Sequence, residues 1–305
     1  MRAPLLAALA AVGLLAAGCG GGPGLATSTQ PEAPAGSLEA LWRAPGEDVA
    51  VTAGASDFAP GANRYSFLVV DGRGQLVERP TARVWVSRGL RQRPFAEATA
   101  RLEDVGVPGG YEADIARIYV VELELPAAGR YWLLAEPVGG AKIQAIGNLD
   151  VKARPAAPAV GDRAYASRTP TLASTGGNLT LLTTDATPER ELYRSSVTDS
   201  LAAHAPFVVA FATPKLCASR TCGPVVDVVD EVRRRLGKSP VRFLHVEIYE
   251  GNDPAKGFNR WVREWTLPTE PWVFLVGSDG LIKARFEGAV SVRELEAAVR
   301  ATLED

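Results

Sequence analysis

The hydrophobic pattern of this chain changes near residue 155, and no other feature constrains the fold as strongly. From 37 to 154 the apolar residues form short runs separated by turn residues, as in β-strands. From 187 onward, apolar runs alternate with segments of helical periodicity, a pattern typical of a sheet packed against helices. Between them, 155–186 is rich in Pro, Ser, Thr and Gly and is predicted to be a linker. A chain of 305 residues is long enough for two such domains.

The first domain, 37–154, is predicted to consist of strands only. The strands are expected at 49–51, 65–70, 82–86, 119–125, 131–135 and 144–151. Gly72 and Gly74 in the first intervening turn allow the left-handed backbone that a hairpin needs. This arrangement resembles an immunoglobulin-like β-sandwich. The resemblance implies a domain that binds a partner or acts as a spacer, because no catalytic set of residue types stands out in it.

Composition excludes several classes of function. The chain has 33 basic and 35 acidic residues, a formal net charge of -2, and no extended basic block, so nucleic acid is not expected as a partner. Its two histidines are too few for a multi-histidine metal centre. We predict no metal site and no cofactor.

The N-terminus predicts export. Residues 1–18 combine Arg2 with a short run of Ala, Leu, Val and Gly, as in a signal peptide. The sequence Ala16-Ala17-Gly18-Cys19 resembles the lipobox of bacterial lipoproteins, which implies lipidation of Cys19 and a membrane anchor on the extracytoplasmic face, or a periplasmic location. The alternative is a plain secretory leader with an incidental cysteine. Residues 19–36 would form a flexible tether.

The cysteine count then indicates a redox pair. Of three cysteines, Cys19 is assigned to the anchor, which leaves Cys217 and Cys222 in a compartment where disulfides persist. Cys222 follows a predicted buried strand, 207–212, and directly precedes a helix that starts near Pro224. The positive end of a helix dipole favours a thiolate at such a position.

The rest of the second domain is predicted as alternating helices and strands. Further strands are expected at 241–246, 272–276 and 282–286, and helices at 188–204, 258–265 and 292–303.

The order of these motifs resembles the thioredoxin-fold family. The resemblance rests on a strand, Cys222-Gly223-Pro224, a helix, and then Pro271 before a strand, and it covers about 187–303. It implies a multidomain chain in which an α/β thioredoxin-like three-layer domain, 187–305, follows the sandwich, with Pro271 in the cis form. Val225 and Ala210 depart from the family, which has a second cysteine and a buried acid at those positions.

The resemblance implies thiol–disulfide exchange with the thiols or disulfides of exported proteins. Cys222 would attack, Cys217 would resolve the mixed disulfide, and Pro271 would orient the bound segment. Glu270 and Trp272 would border the substrate. The sequence does not identify the partner that recycles the pair.

Three other interpretations stay open. The first is a redox-inert binding or scaffold module in which Cys217 and Cys222 form a static disulfide. A copper chaperone using the two cysteines and His245 ranks lower. A peroxiredoxin-like peroxidase also ranks lower, because Pro214 stands one residue too far from Ser219-Arg220-Thr221-Cys222.

Overall fold

The computed structural model describes residues 32–217 and 220–304. The predicted leader 1–18, Cys19 and the tether up to residue 31 lie outside these residues. The described part from Ala33 onward forms one compact unit that contains a β-barrel and a separate four-stranded sheet. Among the helices described, none is both long enough and apolar enough to cross a bilayer. The predicted domain boundaries stay predictions.

A seven-stranded closed barrel forms the first part of the chain. Its strands are Glu47–Ala53 (β1), Gly61–Val70 (β2), Thr81–Ser87 (β3), Ala96–Asp104 (β4), Arg117–Leu125 (β5), Gly129–Pro137 (β6) and Ile143–Val151 (β7). The order around the barrel is β1-β2-β5-β4-β3-β6-β7, and a parallel pairing of β1 with β7 closes it. A short helix, Leu38–Trp42 (α1), contacts the outside through Leu38, which packs with Trp85 and Leu134.

Stacked aromatic rings fill the barrel interior. Tyr65 lies with its ring centroid 5.4 Å from that of Phe67, which is 5.3 Å from Tyr119. All three side chains are buried in one cluster with the inward residues of the other strands. Their burial is the expected result of strand alternation, which sends every second residue to the interior.

The all-β character predicted for this region is confirmed, but the immunoglobulin-like sandwich is wrong. The cause is β4, which the sequence analysis missed because its inward positions are small: Ala96, Ala98 and Ala100 are poor strand formers. This strand pairs with β3 on one side and β5 on the other. Without both β4 and the β1–β7 pairing, the remaining strands would form two separate sheets, β1-β2-β5 and β3-β6-β7, as in a sandwich. Together these two features join the strands into a closed barrel.

The second sheet has four strands and is buried on both faces. They are Phe207–Phe211 (β8), Arg242–Val246 (β9), Trp272–Val276 (β10) and Ile282–Glu287 (β11), in the order β11-β10-β8-β9. β8 runs parallel to β9, and β10 runs antiparallel to both β8 and β11.

Every residue of β8 and of β10 is buried, because both are central strands. Alternate residues point to two different cores. One core packs against the helices Cys222–Leu236 and Val292–Glu304, and the other surrounds Trp265. The helices after α1 are Val197–Ala202 (α2), Cys222–Leu236 (α3), Arg260–Glu264 (α4) and Val292–Glu304 (α5).

The α/β thioredoxin-like three-layer domain is also wrong, and with it the family resemblance. The structure is mostly β, a barrel plus a four-stranded sheet, and 21% of the described residues are helical. Two predicted helices are much shorter than their periodicity suggested. In 188–204, Ser196 starts a new six-residue helix through a capping box with Asp199. In 258–265, the Asn259 side chain accepts hydrogen bonds from Trp261 and Val262 and so sets the start of α4. The left-handed backbone of Thr266, with φ of 50°, prevents its continuation, so α4 has only five residues.

A buried carboxylate joins the barrel to the sheet. The Asp57 side chain, fully buried beside β2, accepts a hydrogen bond from Arg285 of β11 at 2.8 Å. It also accepts backbone hydrogen bonds from Ala156 at 2.8 Å and Ala157 at 3.0 Å. Burial raises the pKa of Asp57, but these hydrogen bonds and the Arg285 charge outweigh it and hold the pKa below its usual value.

The first prediction concerns this junction. Replacing Asp57→Asn should lower the free energy of unfolding by about 3 kcal/mol, because Arg285 then loses its buried counter-charge. Urea denaturation of the full chain measures the change. Asp150→Asn is the matched control, since the Asp150–Arg130 pair is exposed and should contribute little. Equal effects of the two substitutions would contradict the assignment.

The second prediction is that the stability contributed by the Asp57 carboxylate depends on pH. A carboxyl group whose pKa is lower in the folded state stabilises the fold above its unfolded pKa, about 3.9 for Asp. That stabilisation is lost as the pH falls below this value. The stability difference between the native chain and Asp57→Asn should therefore be full at pH 6 and shrink below about pH 4.

Candidate functional site

The candidate site lies at one edge of the four-stranded sheet. Because β10 runs antiparallel to β8, with Trp272 opposite Phe211, the start of β10 and the end of β8 lie at the same edge. The chain leaves β8 toward Cys217, and α3 begins at Cys222. Glu270 stands two residues before β10 and is joined to Pro271 by a cis peptide bond, as predicted for that proline.

Three side chains with metal-binding and proton-transfer chemistry converge at this edge. The two cysteine sulfurs and a Glu270 carboxylate oxygen all lie within 4.8 Å of one another. The structure records Cys217 and Cys222 as thiols and not as a disulfide. Cys222 is completely buried, whereas 8% of Cys217 is exposed, and Glu270 is half-buried. The sequence analysis named all three residues, and the structure brings them together.

Burial decides the protonation state of Cys222. Removal from water raises the pKa of this thiol far above its ordinary value, and the hydrogen bond with Cys217 and the nearby Glu270 charge act in the same direction. A backbone hydrogen bond from Thr213 opposes the shift but does not cancel it. Burial, the largest cause of this shift, therefore opposes the ionisation that was expected for Cys222 at the start of the helix.

Trp272 lies in the core and not at the surface. Its side chain is fully buried and stacks on Phe274 with 5.5 Å between ring centroids. Its indole N–H donates to the Thr269 hydroxyl at 3.1 Å. From this position Trp272 holds the segment that carries Glu270.

His245 is fully engaged elsewhere. The Tyr193 hydroxyl lies 2.8 Å from its Nδ1, and Nε2 lies 3.0 Å from the Ala212 carbonyl oxygen. A carbonyl can only accept, so Nε2 carries the proton and Tyr193 donates to Nδ1. A copper site built on His245 therefore lacks its third ligand.

Glu247 is a buried acid near the site that the sequence analysis missed. Its carboxylate accepts a hydrogen bond from the Thr184 hydroxyl at 2.6 Å, and that hydroxyl lies 3.4 Å from the Thr213 hydroxyl. Thr213 in turn donates its backbone N–H to Cys222. Its position in the sequence could have indicated it, because Glu247 directly follows β9, and the end of β9 lies at the same edge of the sheet as the end of β8.

The loop 105–116 of the barrel, between β4 and β5, covers the start of α3. The backbone N–H of Tyr111 donates to Asp227 of α3 at 2.5 Å, and its hydroxyl donates to Asp185 at 3.0 Å. A salt bridge of 3.1 Å joins Asp114 to Arg220, just before the helix. This barrel loop therefore forms part of the site, although the sequence analysis assigned no site residue to the barrel.

Gly223 allows this close packing. A Cβ atom at Gly223 would lie 2.6 Å from Cγ of Tyr111, closer than real Cβ contacts. Only a residue without a side chain lets the Tyr111 ring lie against the first turn of α3, next to Cys222.

The third prediction follows from this contact. Gly223→Ala should lower the free energy of unfolding by about 1–3 kcal/mol, because the added methyl group overlaps the Tyr111 ring. In a Tyr111→Ala background the same substitution should cost much less, so the two changes should be non-additive. Denaturant unfolding of the four chains measures this coupling.

Gly72→Ala is the control, since nothing lies within 4 Å of that Cβ position. The left-handed backbone expected at Gly72 and Gly74 is present at Gly74 but not at Gly72, so alanine is not strained there. Additive effects of Gly223→Ala and Tyr111→Ala would contradict the packing described here.

Comparison with known proteins assigns no family to the chain. No protein-family model matches the sequence, and no curated protein matches it. The solution structure of the PKD domain from the human VPS10 domain-containing receptor SorCS2 aligns with 45% of this chain and 93% of its own length. The sequence identity is 18% and the TM-score is 0.19. This likeness is too low to carry an argument about fold or function.

Proposed function

We propose that the protein exchanges thiols and disulfides with exported proteins through Cys217 and Cys222. One observation carries the proposal: two cysteine sulfurs lie together with the Glu270 carboxylate at one edge of the four-stranded sheet. A dithiol can pass two electrons to a disulfide only if its sulfurs can bond to each other, and their proximity supports this. The adjacent carboxylate supplies a proton acceptor.

Exposure supports a division of roles opposite to that expected from the sequence. Cys217 keeps 8% of its surface exposed and Cys222 keeps none, so Cys217 lies nearer the surface and is the residue that a substrate would reach first when the site opens. Cys222, with its raised pKa, is suited to act second. We therefore assign the first attack to Cys217 and the resolving step to Cys222.

The exchange proceeds in two balanced steps. Cys217 first gives its proton to water, and its thiolate attacks one sulfur of a substrate disulfide. A Cys217–substrate S–S bond forms, and the substrate S–S bond breaks and releases a thiolate that takes up one proton from water. Glu270 then accepts the proton of Cys222, whose thiolate attacks Cys217. The Cys217–Cys222 bond forms, the Cys217–substrate bond breaks, and the second substrate sulfur leaves as a thiolate that takes the proton from Glu270. The substrate gains two electrons and two protons, and the protein pair becomes a disulfide. A dithiol donor would reduce it again, and the reverse sequence would oxidise a substrate.

The loop 105–116 controls access in this proposal. Both cysteines are at least nine-tenths buried, so a substrate sulfur needs space that the resting arrangement does not offer. The loop is held by the Tyr111 and Asp114 contacts to α3 and its surroundings. Its displacement would open the cysteine pair, while Pro271 would help to orient the incoming segment.

The proposed location is the extracytoplasmic face of a membrane. It rests on the lipobox-like sequence that ends at Cys19 and on a predicted tether to residue 36. A lipid on Cys19 would hold the chain at the membrane, where exported proteins with cysteines pass.

The fourth prediction tests the cysteine roles with glutathione disulfide as the probe. In the full chain, Cys222→Ala should accumulate a glutathione adduct on Cys217, because no thiol remains to resolve it. Cys217→Ala should react with glutathione disulfide at least about tenfold more slowly, because Cys222 is buried. Mass spectrometry of both variants, each in a Cys19→Ser background, measures the adducts.

Two results would contradict the proposal. Faster adduct formation on Cys222 than on Cys217 would restore the opposite order of roles. The absence of adducts from both variants would favour the redox-inert binding module.

The fifth prediction concerns Glu270. Glu270→Gln should slow closure of the Cys217–Cys222 disulfide at neutral pH by about a hundredfold, because it removes the proton acceptor for Cys222. The deficit should shrink as the pH rises and hydroxide takes over proton removal. Glu124→Gln, which changes an exposed carboxylate on the barrel, is the control and should close at the native rate. A deficit that does not depend on pH would indicate a structural role instead.

A further inference from the structure

We propose that Cys217, Cys222 and Glu270 also form a zinc site, in which two thiolates and one carboxylate bind a single Zn²⁺. The inference uses the same cysteine pair as the exchange reaction but goes beyond it, since metal binding involves no change of oxidation state. It rests on the convergence of the three ligand atoms and on their chemistry.

The distances suit a tetrahedral ion. With Zn–S distances of about 2.3 Å and a Zn–O distance of about 2.1 Å, neighbouring ligand atoms are separated by about 3.6–3.8 Å. The ligand atoms of Cys217, Cys222 and Glu270 lie within 4.8 Å of one another. A contraction of about 1 Å, within reach of side-chain rotation, therefore completes the site.

The ligand set selects zinc over other ions. Thiolates exclude magnesium and calcium, which prefer oxygen ligands throughout. A carboxylate is a poor ligand for copper(I), which prefers soft sulfur, whereas zinc accepts both sulfur and oxygen. His245, the remaining candidate for a soft-metal ligand near the pair, is held by Tyr193 and Ala212.

The surroundings favour a bound cation. Two thiolates and a carboxylate would together carry three negative charges in a buried site, a costly arrangement that a divalent ion reduces to one. The Thr213 N–H donates to the Cys222 sulfur, and the Tyr249 hydroxyl donates to the Glu270 carboxylate at 3.4 Å. Such outer contacts orient metal ligands.

Three protein ligands leave the fourth tetrahedral position for water or a thiol. Structural zinc sites usually have four protein ligands, whereas sites that exchange a ligand have three. A zinc ion bound here would hold the pair reduced, because both sulfurs would be engaged as thiolates. Metal binding and disulfide formation would therefore exclude each other.

The test uses the full chain, reduced and metal-free, in a Cys19→Ser background so that Cys217 and Cys222 are its only thiols. Titration with Co²⁺ should produce thiolate-to-cobalt charge-transfer absorption and the visible bands of a tetrahedral site, saturating at one ion per chain. Zn²⁺ should displace the cobalt, and competition with a chromogenic chelator gives the zinc affinity.

Variants identify the ligands. Glu270→Gln keeps both thiols but should weaken zinc binding by at least about tenfold, since even loss of an outer-shell partner costs that much. Glu124→Gln is the control and should bind zinc like the parent chain. Cys217→Ser should remove about half of the charge-transfer absorption and weaken binding further, which keeps the test decisive if one variant folds poorly.

Outcomes separate this inference from the exchange reaction. Absence of cobalt bands, or equal zinc affinity in Glu270→Gln and the parent chain, would overturn the zinc site. Glutathione adduct formation measured in the presence of a strong chelator would be unaffected by that result. Conversely, zinc binding without adduct formation would leave this inference standing and overturn the exchange.

Discussion

Burial of β8 and β10 on both faces is the constraint on which the rest of the site depends. The apolar runs Phe207–Phe211 and Trp272–Val276 can exclude water only as adjacent central strands with a packed layer on each side. Their antiparallel pairing sets the end of one beside the start of the other. The polar and reactive residues that cannot enter these strands, Cys217 and Glu270 among them, therefore collect at one edge.

The chemistry of that edge is governed by desolvation. A thiol at a helix N-terminus is usually ionised more easily, but complete burial of Cys222 reverses the effect. A buried dithiol beside a carboxylate can reach the thiolate state in two ways, by transferring a proton to Glu270 or by binding a cation. The proposed exchange reaction uses the first and the proposed zinc site uses the second, so both depend on the same electrostatic cost.

The barrel is more than a spacer, because its loops contact the second part of the chain. Its loop 105–116 lies on α3 through Tyr111 and Asp114, and Asp57 anchors the barrel to β11 through Arg285. The sequence contained a sign of the first contact in Gly223, but a glycine beside a cysteine has several explanations. The strand β4 was not predicted, because the alanines at its inward positions have low strand propensity. Since β4 is needed to close the barrel, the closed barrel was not predicted either.

The sequence by itself determined the apolar runs that became central strands and the placing of Cys217 and Cys222 in one short segment, since these depend on residues close in the chain. Only the tertiary structure decided that the first seven strands close into a barrel and that Cys222 is sealed from water. Strand closure, packing and desolvation depend on residues far apart in sequence, and no local pattern records which distant residue will supply the contact.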